Sequence, residues 1–398
     1  MVTEIELSRT SRGSRLVLLA LSLARFVTQP LSIITGLLLI DIASSFNAPV
    51  GIIGQVRTSA AVAEMVFAVT MGALTVRFSQ RSLLLTGLLF MLVSSAGSGL
   101  AQNLPTLMVL YSLSGVGMSM IGPMTLTMVG DLFPAEKRAS VVGLMVAVLA
   151  VSYTVGAPMV NLLSGVGGWR LPLLAYALPI SALAFITVFF SIPTKSDRAK
   201  PSPSGPGYTS GYRVLFNNKS ALACLFGAAT YMAAQVVPLT FGASYLRQAL
   251  ALPVSNAALM TVFNSLSYIT GSLVASRFIR RLGGRRTAWM SALLLTLLYA
   301  FAFTLSSLYL VVTCMILGYF SGGVCYAASN TLAIEQIPSH RATMMSVFIA
   351  AIALGNTFGN SIGGFALISN GYMSLSAVLG IFGLASAFIY AFFTQEMR

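Results

Sequence analysis

The residues able to do chemistry in this 398-residue chain are the few polar and charged ones inside its long apolar runs. Glu64 lies mid-way along the run 51–75 and Arg25 interrupts the run 16–40. A charge at bilayer depth is costly and faces a partner or a wet cavity. A low-dielectric setting also disfavours the charged form of a carboxyl. Glu64 is therefore a candidate proton carrier or a contact for a cationic substrate; a neutral carboxyl that only joins helices is the plainer reading. Arg25 lies at a similar depth and could pair with Glu64 as a gate, or meet an anionic substrate. Asp41 and Arg57 sit nearer the outer end and could form a second pair, an outer latch. Arg25, Gln29, Ser32 and Gly36 are spaced 4, 3 and 4 apart, which puts them on one helical stripe. Tyr231, Gln235 and Pro238 repeat that rhythm, and Tyr319, Tyr326 and Asn330 sit in another apolar run. Aromatics with a few polar groups suit an amphiphilic organic ligand, although packing explains each tyrosine taken alone.

Other chemistry finds no motif. There is no phosphate-binding loop, no metalloprotease signature and no paired-aspartate protease pattern. One histidine, His340, and three scattered cysteines, Cys224, Cys314 and Cys325, make neither a metal site nor a disulfide framework. No cofactor, no metal and no enzymatic activity are expected.

The elements that must position these residues follow from composition. The chain is 57% hydrophobic and 8% charged, where a soluble protein has about a quarter of its residues charged. It reads as a polytopic all-α membrane protein. Stretches of about 20 apolar residues suffice to span, and twelve appear: 16–40, 51–75, 82–100, 106–130, 139–162, 171–191, 220–244, 254–278, 287–306, 308–333, 342–366 and 372–394. The N-terminus resembles a signal peptide, but the first run continues to Ile40 and carries Arg25, so it is read as a retained span. Residues 192–219 are rich in Pro, Gly and Ser and read as a cytoplasmic linker, with a short interfacial helix near Tyr212–Phe216. They separate a first six-helix bundle, 1–191, from a second, 220–398.

The net charge of +14 marks topology rather than nucleic acid. Nineteen of the 23 Lys and Arg fall on one side if both termini are cytoplasmic. The densest cluster is ASRFIRRLGGRRTAWM, 275–290, whose Gly283–Gly284 reads as the inner turn between spans eight and nine. Its arginines could also meet anionic lipid head groups. The halves repeat: LFPAEKRASVVGLMVAVLAVSYTVGAP at 132–158 matches QIPSHRATMMSVFIAAIALGNTFGNS at 336–361, with Arg138 and Arg341, and Gly156 and Gly359, at an offset of 203. Two pseudo-symmetric bundles are implied. In the second copy, Gly355, Gly359 and Gly363 form a small-residue stripe for close helix packing.

Six plus six spans, the linker and three loop or span motifs resemble the major facilitator superfamily, and within it the twelve-span drug- and metabolite-efflux branch. The loop after span two reads GALTVRFSQR, where Gly72, Leu74, Arg77 and Arg81 match the family motif and Val76 replaces its aspartate. RRLGGRR is the repeat copy, also without the acid. Span four has YSLSGVG, with Tyr111 in place of the proton-coupling arginine; span five has SYTVGAPMV, similar to the antiporter motif. The resemblance implies that spans one, four, seven and ten line a central cavity, making Tyr111 a further cavity candidate. It implies inner gates at Arg77, Arg81, Asp131, Arg138, Arg281, Arg285, Glu335 and Arg341, with Asp131 and Glu335 as partners for the loop arginines. The expected activity is secondary transport of a small organic solute across the cytoplasmic membrane by a single chain, in the export direction and coupled to protons. The alternatives are uptake or exchange of a sugar or organic anion, and a non-transporting receptor or scaffold. Expected partners are the solute, protons and membrane lipids, without nucleic acid.

Overall fold

The computed structural model describes residues 4–133, 135–192, 208–338 and 341–395. Span one comprises the helices Glu4–Phe26 and Pro30–Leu37, and a short helix, Leu39–Ser45, follows it. Then come span two (Val50–Arg77), three (Gln80–Leu100), four (Leu104–Leu132), five (Ala135–Gly167) and six, whose last part is Leu178–Ser191. After a helix at Tyr208–Asn217 come span seven (Lys219–Gln248), eight (Val254–Leu282), nine (Gly284–Ala302), ten (Leu308–Gln336), eleven (Arg341–Asn370) and twelve (Met373–Phe392). Among the described residues there is no strand, and eleven helices are long and apolar enough to cross a membrane. The remaining one, Gly284–Ala302, is shorter and starts with Arg285 and Arg286 in its first turn. The helix Tyr208–Asn217 stands where a short one was expected, and residues 193–207 of the linker lie outside the described residues, as does His340.

Local chemistry sets the helix ends. Asn103 and Asn218 cap spans four and seven, Asn103 Oδ1 accepting from the Thr106 N–H at 2.9 Å and Asn218 Oδ1 from those of Ser220 and Ala221 at 3.0 and 3.1 Å. Gly283 turns the chain between spans eight and nine at φ +84°, where a side chain would be strained.

One expectation needs correcting. Span one is not a continuous helix over 16–40: it is broken at residues 27–29. Pro30 has no N–H for the carbonyl of Phe26, four residues earlier. The Ser152 hydroxyl of span five supplies that donor instead, at 3.1 Å, and the Thr28 hydroxyl donates to the Arg25 carbonyl at 2.7 Å.

By contacts, the chain divides into two compact units: Met1–Ile34 with Val62–Ser202, and Thr35–Ala61 with Pro203–Arg398. In the second unit, span eleven packs on span seven through its glycine stripe. A Cβ on Gly355 would overlap the Ala229 carbonyl, and one on Gly359 the Ala233 carbonyl. Beside them, Thr240 donates to Asn360 Oδ1 at 2.5 Å, both side chains being buried. The two backbones approach because nothing stands between them, which lets dispersion act over a long seam. Gly359→Val should destabilise the purified protein by about 1–3 kcal/mol, read as a lower melting temperature. Gly380→Ala, where a Cβ meets nothing within 4 Å, should leave it unchanged.

Candidate functional site

Within the first unit, the break in span one positions a polar group at mid-span. Arg25 ends the inner helix, and its guanidinium points to span four, where a Cβ on Gly122 would stand 3.3 Å from Nη1. The Gln29 amide donates to the Thr28 hydroxyl at 2.8 Å. Broken helices of this kind line ligand sites in membrane proteins, because they leave irregular backbone and polar groups at depth. Glu64 is half-buried and makes no hydrogen bond or ion pair among the described residues. The expected Arg25–Glu64 pair therefore does not form; Arg25 is directed at Gly122 instead. Tyr111 is 2% exposed, on the span-three side of span four, where Ser94 donates to its carbonyl at 3.4 Å.

Within the second unit, the expected cavity aromatics form a closed network. The Tyr231 hydroxyl donates to the Gly322 carbonyl of span ten at 2.8 Å. Gln235 Nε2 donates to the Tyr299 hydroxyl of span nine at 3.2 Å, and the Tyr299 ring meets Tyr319 edge-on, with centroids 5.6 Å apart. Tyr231, Gln235, Tyr299 and Tyr319 are all buried. Gly322 is the close-approach position that admits the Gln235 amide. Tyr326 and Asn330 are half-buried, and Asn330 Nδ2 donates to the Tyr326 carbonyl at 2.8 Å. The structure thus brings Tyr231, Gln235 and Tyr319 together between spans seven, nine and ten, and leaves Tyr326 and Asn330 lower on span ten.

The end of the second unit where span seven finishes holds the ion pair. Asp41, on the helix after span one, is held by Arg247 at the end of span seven through two hydrogen bonds, Nη1 to Oδ2 and Nη2 to Oδ1, the latter at 3.0 Å. Arg247 also donates to the Leu37 carbonyl at 3.2 Å. The bidentate geometry gives the pair direction as well as strength. This corrects the expected Asp41–Arg57 pairing. Arg57 is buried and donates to the Leu239 carbonyl of span seven at 3.4 Å, with Gly36 leaving room for its guanidinium. Gln55 of span two donates to the Ser361 carbonyl of span eleven at 3.1 Å. Beside the ion pair, Tyr372 donates to Gln248 Oε1 at 2.8 Å. Burial pushes its hydroxyl up to about 12, against the downward pull of the Ser244 hydrogen bond and the Arg247 charge, so it stays a donor. A cavity of about 660 Å³ opens here, lined by Ser44, Asn47, Pro49, Gln248, Leu367 and Tyr372 among others.

At the opposite helix ends, two loop arginines bind backbone. Arg81 donates to the Phe189 carbonyl at the end of span six at 2.6 Å, with its guanidinium 5.3 Å from that residue's ring centre. Arg285 donates to the Ala391 carbonyl at the end of span twelve. One of these contacts lies in each unit. Asp131 was expected to answer a loop arginine; it accepts from Gln80 Nε2 at 2.8 Å instead. Arg77 and Arg281 are exposed, Glu335 is half-buried, and the side chains of Arg138 and Arg341 lie outside the described residues. Where span seven begins, the Ser220 hydroxyl donates to Gln336 Oε1 at 2.6 Å, and Gln336 Nε2 donates to the Gln395 carbonyl at 2.9 Å.

The profile of the Major Facilitator Superfamily matches residues 20–246 and 224–398, nearly the whole chain. The chain belongs to the major facilitator superfamily. It is similar to YceJ of Bacillus subtilis (strain 168), described as an uncharacterized MFS-type transporter, with 24% identity over 322 residues, 80% of this chain and 81% of that one. It is also 34% identical over 85 residues to multidrug resistance protein 3 of the same organism, 21% of this chain and 17% of that one. Its fold is that of the D-xylose–proton symporter crystal structure, with a TM-score of 0.78, 14% identity and coverage of 96% of this chain and 98% of that one.

This superfamily transporter has side-chain contacts that its sequence did not reveal. Arg247 is one: it lies 206 residues from Asp41, and no local pattern points to it. Gln80 is another, a neutral residue standing where the family motif has an arginine. Two outcomes follow. In a double-mutant cycle of Asp41→Asn and Arg247→Gln, melting temperatures should give a coupling of about 1 kcal/mol, and the swap Asp41→Arg/Arg247→Asp should recover part of it. Arg81→Ala and Arg285→Ala should each loosen their own bundle, seen as faster amide exchange at the end of span six and of span twelve respectively, and their effects should add.

Proposed function

We propose that this transporter exports a small amphiphilic organic solute across the cytoplasmic membrane by alternating access, driven by the proton gradient. The Asp41–Arg247 ion pair carries the reading. It joins the segment after span one to the end of span seven, two spans that the family resemblance puts at the central cavity, and it is the only ion pair among the described residues. Its side chains are 12% and 36% exposed, so water reaches both partners and can replace their contact when the outer side opens. An outer latch of this kind is what an alternating-access cycle must make and break. Similarity to a multidrug resistance protein over 85 residues supports the export direction. The bias of Lys and Arg to one side supports cytoplasmic termini.

In this reading, Glu64 carries the proton. Half-buried and without a partner among the described residues, it exchanges between a charged and a neutral form with access to one side and then the other. A second reading, exchange of an organic anion, is favoured by Arg25, whose guanidinium stands at mid-span beside Gly122.

The test is flux in proteoliposomes with a lipophilic cationic dye and an aromatic carboxylate as probes. Export of the cation should be saturable and accelerated by an imposed pH gradient. Glu64→Gln should abolish that acceleration while leaving gradient-free counterflow. Wild-type acceleration in Glu64→Gln would remove Glu64 from the mechanism. Saturable exchange of the carboxylate alone, lost in Arg25→Gln, would establish the second reading instead.

A further inference from the structure

The basic cluster that opens span nine has no role in the transport cycle described so far. Arg281, Arg285 and Arg286 line a cleft of about 760 Å³, together with Gly283, Trp289 and Gln395. Among the described residues, no carboxylate lines the cleft. Arg281 and Arg286 make no hydrogen bond or ion pair among the described residues, and Arg286 is exposed. Arg285 is fixed by its bond to the Ala391 carbonyl, which aims the rest of its guanidinium. The cleft also sits at the start of the helix Gly284–Ala302, the positive end of its dipole.

A second, apolar groove of about 630 Å³ adjoins this cleft and shares Trp289 and Ala391 with it. Leu293, Leu384, Phe388 and Phe392 line it between spans nine and twelve. Phe388 is 55% and Phe392 70% exposed, so the groove faces outward from the bundle. Trp289, at the junction, is the residue type that sits at the level of lipid head groups.

We infer that the second unit carries a site for one anionic phospholipid, with its phosphate in the arginine cleft and an acyl chain along the groove between spans nine and twelve. Three cations with no carboxylate among the described lining residues favour an anion, and the adjoining apolar groove suits an anion that carries a hydrocarbon chain. A soluble phosphate would use the first feature and leave the second empty. Bound lipid would tie the span-nine turn to the end of span twelve, the contact that Arg285 already makes.

The test uses the purified full-length chain in neutral detergent, with dioleoylphosphatidylglycerol, dioleoylphosphatidylcholine or inorganic phosphate added. Lipid binding is read by native mass spectrometry and by melting temperature. Phosphatidylglycerol should bind and stabilise the wild type more than phosphatidylcholine does, and inorganic phosphate should have little effect. Arg281→Gln and Arg286→Gln should each weaken phosphatidylglycerol binding about fivefold, and the pair together about 25-fold, on the scale of a basic residue at an anionic surface. Arg281→Lys/Arg286→Lys should keep most of the binding, which separates loss of charge from loss of fold. Ala385→Phe, which fills the groove, should weaken phosphatidylglycerol alone. Equal binding of the two lipids by the wild type, or wild-type affinity in the double Gln variant, overturns the inference. So does stabilisation by inorganic phosphate equal to that by phosphatidylglycerol with no effect of Ala385→Phe, which would make the cleft a site for a soluble anion.

Discussion

Hydrocarbon accepts and donates no hydrogen bonds, so every polar group that leaves the regular helix ladder has to be answered by the protein itself. That constraint accounts for much of the side-chain chemistry in this chain. Where Pro30 deprives the Phe26 carbonyl of its helical donor, Ser152 of another span supplies one. Tyr231 reaches the Gly322 carbonyl, Tyr245 the Leu305 carbonyl and Arg57 the Leu239 carbonyl. Even two loop arginines, Arg81 and Arg285, bind carbonyls rather than carboxylates. With 9 Asp and Glu against 23 Lys and Arg, acids are scarce, and backbone oxygens at helix ends take their place as partners.

Close packing supplies the rest. Lipid tails are as apolar as leucine, so helices in a membrane gain little from hiding leucine from lipid and gain by fitting closely. The stripe Gly355, Gly359, Gly363 lets span eleven lie on span seven, and Gly271 and Gly323 do the same for spans eight and ten, where each faces a backbone carbonyl of the other helix. The close seams also hold the buried polar pairs, such as Thr240 with Asn360, at fixed distances. Polar networks inside a bundle are stable only when complete, and the tyrosine–glutamine group around Gln235 is nearly so.

The fold was legible because its signals are long and redundant: runs of twenty apolar residues, the one-sided bias of Lys and Arg, and a repeat at an offset of 203. The small-residue stripe read correctly for the same reason, since i, i+4 spacing is a property of one helix. The partners were not legible. Asp41 and Arg247 are 206 residues apart, and nothing local distinguishes Arg247 from Arg57 as the partner. Tyr231 and Gln235 share a face with a plausible cavity rhythm, but which way that face points depends on the tilt and rotation of span seven against nine and ten, which one helix cannot specify. The break in span one had a visible signal in Pro30. Reading the apolar run as continuous passed over it, because hydropathy measures length and ignores missing donors.

The two arginine clamps have a consequence for how the chain can change over time. Arg81 and Arg285 make the same kind of contact, a guanidinium on a carbonyl at a helix end, and each of these contacts lies inside its own unit. A lost clamp in one half is therefore not made good by the other. What each helix end needs is a guanidinium that reaches a terminal carbonyl, and the residues around it can differ: GALTVRFSQR and RRLGGRR share their arginines, Arg77 with Arg281 and Arg81 with Arg285, and little else.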